Sequence, residues 1–70
     1  MKGGKNMLKI EIKTGGAAFM NEDDEFDPYY GGLEVQRILT EIALDIQNGY
    51  TKGTENDING NKVCTWELDV

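Results

Sequence analysis

Five carboxylates occupy the six positions from Glu22 to Asp27, interrupted only by Phe26, and Pro28, Tyr29, Tyr30, Gly31 and Gly32 follow at once. Like charges this dense repel one another and cannot be buried together. The tract is therefore a solvated loop, a cation site or a face that meets a basic partner. Laid on a calcium-loop template that starts at Asp23, places 1, 3 and 5 fall on Asp23, Glu25 and Asp27, and the bidentate place 12 falls on Glu34. Place 6, which needs glycine for its sharp turn, falls on Pro28. Proline cannot take a positive φ, so the template fails there and no metal or other cofactor is expected.

Catalysis finds equally little support. Neighbouring carboxylates divide acid and base roles only in a concave, partly desolvated site, and 70 residues with one helix offer none. The chain has no histidine and one cysteine, Cys64, which alternates in phase with Trp66 and Leu68 and so belongs to the core. The expectation is a protein that is not an enzyme. Tyr29 and Tyr30, beside the carboxylates, are the residue types that anchor protein interfaces; equally, one ring can cover a sheet edge or a helix start. Asp57, Asn59 and Asn61 form turn chemistry that can also present a binding tip.

The elements that must position these groups are legible in the pattern. After a polar leader expected to be disordered, Met1 to Asn6, Leu8, Ile10 and Ile12 alternate with Lys9, Glu11 and Lys13, which predicts a half-buried strand. Gly15-Gly16 ends it and opens a nineteen-residue loop from Thr14 to Gly32, in which Phe19 is the apolar anchor. From Leu33 onward Val35, Ile38, Leu39, Ile42, Ala43 and Ile46 recur with helical spacing, and Gly49 caps the end. Glu34, Glu41 and Asp45 fall in one narrow sector of this helix, with Arg37 beside them. Leu33 and Leu44 lie opposite the stripe as singly exposed leucines.

Asn59-Gly60 predicts a type I′ hairpin between strands at about Thr54–Ile58 and Asn61–Leu68. Val63 is out of phase with Trp66. Either a bulge near Val63-Cys64 or a four-residue turn pairing Ile58 with Val63 brings both to the core. The sum is an α+β domain over residues 7–70 in β-α-β-β order, a three-stranded sheet with its last strand central and its one helix on one face.

The segments LKIEIKTGGAAF, EVQRILTEIALDIQNG and DINGNKVCTWEL together resemble a family of short phage- and prophage-encoded proteins of unknown function. The resemblance spans most of Met7 to Leu68 and is carried by Ile10, Ile12, Thr14, Ala17, Ala18, Phe19, Glu34, Val35, Arg37, Ile38, Leu39, Asp57, Asn59, Gly60, Asn61 and Val63. Cys64 stands where such proteins often have glycine, and the acidic tract lengthens the loop. The resemblance implies a phage or prophage origin and a noncatalytic role.

Thirteen acidic against seven basic residues give a net charge of −6. That balance, with lysines scattered along the chain, disfavours direct nucleic-acid binding, and no apolar run has membrane-spanning length. The absence of a cysteine pair points to a reducing compartment, the cytoplasm, and the phage resemblance implies that of a bacterial host. The expected activity is stoichiometric binding to a basic surface of a host or phage protein. The contact set is Glu22, Asp23, Asp24, Glu25, Asp27, Tyr29, Tyr30, Glu34, Glu41 and Asp45, and the chain is expected to be a monomer. Two alternatives are an inhibitor that mimics DNA against a host nucleic-acid-binding defence enzyme, as an anti-CRISPR protein does, and a self-associating structural protein that uses Leu33 and Leu44.

Overall fold

The computed structural model describes residues 6–69; the leader expected at Met1 to Asn6 lies outside them except for Asn6. Strand β1 (Met7–Ile12) leads to a 3₁₀ turn (Ala17–Phe19), helix α1 (Tyr30–Gln47), and strands β2 (Lys52–Asn56) and β3 (Lys62–Asp69). The sheet order is β1-β3-β2, antiparallel throughout, so the expected α+β architecture and the central place of the last strand both hold. Trp66 pairs with Ile10 on one side and Gly53 on the other. The richest apolar alternation thus sits where a strand has neighbours on both edges. Phe19, Ile38, Ile42, Cys64 and Trp66 form the buried core, and Ile10, Ile12, Ala18, Val35, Ile46, Val63 and Leu68 pack around it.

The helix begins at Tyr30, three residues before the expected Leu33. Its start is made by Asp27, whose Oδ1 accepts the Tyr29 and Tyr30 amides at 2.8 and 2.9 Å while its carbonyl accepts the Gly31 amide at 2.8 Å. An aspartate capping two free amides, followed by proline, is a favourable helix start, because the proline has no amide to leave unsatisfied. Gly49 ends the helix as expected, at φ +96°.

The buried face is displaced relative to the apolar stripe. Leu39 and Ala43 are exposed, whereas Gly31 and Glu34 are buried. The helix lies nearest β2 and the 3₁₀ turn, which brings this flank inward. Gly31 shows why a side chain is missing there: a Cβ would stand 2.8 Å from the Phe19 carbonyl oxygen and 2.8 Å from the Phe26 ring. Gly32, next to it, has open space. We therefore expect Gly31→Ala to destabilise the domain by about 1–3 kcal/mol, overriding its better helix propensity. Gly32→Ala should stabilise it by about 0.5–1 kcal/mol. Urea denaturation of the two variants measures both signs.

The hairpin closes differently from the expectation. Ile58 is 75 % exposed and lies in the turn rather than in a strand. Asp57 and Asn61 pair across a three-residue loop, with the Asp57 amide donating to the Asn61 carbonyl at 2.8 Å. Only Gly60, at φ +85°, is left-handed; Asn59 is not, so the turn is not type I′. The register steps from Glu55 opposite Cys64 to Asn56 opposite Lys62, and Val63 is the extra residue. Of the two solutions the pattern allowed, the bulge is the one adopted, and it leaves Val63 half-buried.

Candidate functional site

Asn21 organises the acidic tract. Its side-chain Oδ1 accepts the Asp23 and Glu25 amides at 2.9 and 3.1 Å, and its backbone exchanges bonds with Asp24 and Glu25. Asp24 turns the chain at φ +58°. Met20 and Phe26 then bridge across the base, and the Asp27 amide donates to the Phe19 carbonyl at 2.8 Å. The tract is a small closed loop hung from the buried Phe19, within the loop expected from Thr14 to Gly32, of which the residues from Tyr30 onward belong to the helix. Glu22, Asp23, Asp24 and Glu25 are all exposed at its tip.

Tyr29 and Tyr30 stand beside that tip, each 67 % exposed. Their ring centroids are 5.0 Å apart at an interplanar angle of 84°, an edge-to-face pair. A shallow concavity lined by Met20, Asn21, Glu22, Asp23, Asp27 and Tyr30 joins the loop to the helix start. Glu22 and Asp23 therefore line one surface with Tyr30, whose ring meets that of Tyr29.

Two residues of the expected contact set are engaged by the fold. Asp27 is half-buried and serves as the helix cap. Glu34 is 7 % exposed and does not join an open acidic strip. Its carboxylate forks to Arg37 at 2.9 and 3.1 Å and accepts the Ile58 amide at 2.7 Å, while Arg37 donates to the Asn56 carbonyl at 2.9 Å. The bond from Arg37 holds the Glu34 carboxyl below the usual range against the opposing effect of burial, and the Ile58 amide adds to it. The pair ties the helix to the hairpin turn. It also removes the ligand that a calcium loop would place at its twelfth position.

Glu41 is exposed and Asp45 half-buried. Glu55, which the sequence analysis did not single out, faces the helix opposite Cys64. Burial raises its pKa first, then hydrogen bonding to and repulsion from Asp45, with Glu41 adding and Arg37 opposing. Cys64 is buried, and burial pushes its thiol up, followed by the charge of Glu55. Asp57 is 5 % exposed, and its Oδ1 accepts both the Asn59 and Asn61 amides at 3.0 and 2.8 Å, so the DxNGN segment locks a turn.

The lysines are less scattered in space than in sequence. Lys9 and Lys52 line one concavity of the sheet face without a helix, and Lys13 and Lys62 another, interleaved with Glu11 and Glu67. Among the described residues no group of three or more histidine, cysteine, aspartate or glutamate side chains is placed to hold a metal ion, and no helix is long and apolar enough to cross a membrane. Comparison with protein-family models, curated proteins and solved structures found no match.

Proposed function

We propose that this chain is a noncatalytic binding protein of the phage or prophage type, acting in the cytoplasm of a bacterial host by stoichiometric association with a basic protein surface. The observation that carries this reading is the edge-to-face Tyr29–Tyr30 pair, largely exposed beside four exposed carboxylates on a hydrogen-bonded loop. Exposed aromatic rings bury little of their area in the fold and are the side chains that most often anchor interfaces. A loop already closed by its own hydrogen bonds loses little further entropy on binding. The contact surface is Glu22, Asp23, Asp24, Glu25, Tyr29 and Tyr30, extended along the helix by Glu41 and Asp45. Asp27 holds the start of that helix beneath the tyrosines.

The carboxylates and the rings have separable roles. Long-range attraction sets the association rate, while desolvated aromatic contact sets residence. With a partner isolated from host lysate on the immobilised protein, changing Glu22, Asp23, Asp24 and Glu25 to amides should slow association and flatten its salt dependence. Tyr29→Ala or Tyr30→Ala should leave the association rate and speed dissociation by about tenfold or more. Unchanged kinetics in the amide variant would make the tract a solubilising loop and defeat the reading.

A further inference from the structure

The outer edge of β1 has a pattern that its place in the sheet does not use. The Lys13 amide donates to the Val63 carbonyl at 2.8 Å, which sets the parity of the β1–β3 ladder. Met7, Lys9 and Glu11 exchange backbone bonds with β3, and the amides and carbonyls of Leu8, Ile10 and Ile12 point off the edge. Among the described residues nothing pairs with them. Of the usual protections of an edge, the strand carries charged side chains, Lys9 and Glu11, but is neither short, bulged nor interrupted by proline. On the opposite edge of the sheet, the Asn56 carbonyl of β2 is occupied by Arg37.

We propose that this edge pairs with the same edge of a second copy of the chain, antiparallel about a two-fold axis at Ile10, to make one continuous six-stranded sheet. The register follows from the residues. With Ile10 opposite Ile10 of the copy, Leu8 lies opposite Ile12, and all three outward-pointing residues of each strand find partners of the same kind. A slide of two residues in either direction leaves one of the three facing chain beyond the strand. The charges choose the same register: Lys9 meets Glu11 twice, at positions where side chains approach most closely. A slide one way sets Lys9 against Lys9, and the other way sets Glu11 against Glu11.

The faces agree too. Directly opposed residues of antiparallel strands share a face, so Leu8, Ile10 and Ile12 of both copies lie on the helix side, and both helices cover the same face of the joined sheet. The helix lies nearest β2, at the far edge from the join. Leu8 is 44 % exposed on its own and gains an apolar neighbour in Ile12 of the copy. The interface is isologous and closes on itself, so it gives a dimer rather than a fibre. It leaves the acidic loop and the tyrosine pair free, and stands or falls independently of what they bind.

Sedimentation equilibrium of the full chain at NMR concentrations tests the proposal. The wild type should show twice the monomer mass. Lys9→Glu and Glu11→Lys should each be monomeric, since each sets like charges opposite one another, and an equimolar mixture of the two should regain the dimer mass. The two substitutions change net charge in opposite directions, so a general charge effect would weaken one and strengthen the other. Leu8→Pro removes an outward amide at a half-exposed edge position without touching the β1–β3 ladder. It should be monomeric, with unchanged circular dichroism and Trp66 emission. A monomeric wild type overturns the proposal, and so does a dimer that survives Lys9→Glu or that Glu11→Lys strengthens.

Discussion

Ile42→Ala should cost this domain about 2–5 kcal/mol, most of the stability that a core of this size supplies. Ile42 is 2 % exposed and sits with Ile38, Phe19, Cys64 and Trp66 in one cluster. Removing its three outer carbons leaves a hole between helix and sheet that neighbouring strands, held by the ladder on both edges of β3, cannot collapse to fill. Trp66 reports the result directly, because it is 3 % exposed in the native fold. Its emission should be blue-shifted in the wild type and shift toward that of water-exposed indole in the variant at a lower urea concentration. Leu39→Ala is the control. The apolar stripe alone would rank Leu39 with Ile42, but Leu39 is 42 % exposed, so its removal should cost less than about 1 kcal/mol. Equal losses at the two positions would mean that the helix presents a different face to the sheet.

The second large effect belongs to Glu34. Glu34→Ala should destabilise by about 1–3 kcal/mol, because it leaves the Ile58 amide and the inner side of Arg37 without their acceptor. The partial exposure of Arg37, 43 % at the side chain, keeps the loss below that of a fully buried pair. The pH dependence distinguishes this contact from simple packing. The folded Glu34 carboxyl is held below its unfolded value, so its contribution is complete above the unfolded pKa and is lost as pH falls through the folded one. The gap between wild type and Glu34→Gln should therefore close in acid, below about pH 4. Glu55 has the opposite sign. Its folded pKa is raised, so ionising it weakens the fold as pH rises through that value, and Glu55→Gln should raise the melting temperature at neutral pH and not in acid. A Glu34→Gln difference that persists unchanged into acid would assign the effect to shape rather than charge.

Much of this molecule can be read from periodicity. Alternation in LKIEIK and CTWEL, and helical spacing from Val35 to Ile46, are properties of residue type at fixed offsets. They determine the kind and order of elements, and the density of apolar residues in the last segment determines that it is central. Phe19 and Gly49 are equally local, one a lone aromatic in a polar loop and the other a left-handed cap. The start of the helix was also legible, in the Asp27-Pro28 pair, yet the run of carboxylates reads first as charge and hides a cap within it.

Only the tertiary structure decided which charges are free. Glu34, Glu41 and Asp45 share one helical sector, but whether a sector faces water depends on what stands opposite, and opposite Glu34 stand the turn at Ile58 and the guanidinium of Arg37. Glu55 is turned inward by strand parity, and the bulge that absorbs Val63 depends on the turn at Gly60. Gly31 looks in sequence like half of a flexible pair and is instead the point where the helix touches Phe19 and Phe26. Local pattern specifies the elements because backbone geometry repeats along the chain. Burial of a given charge is settled across the chain, by contacts between segments whose distance apart in sequence carries no record of their meeting.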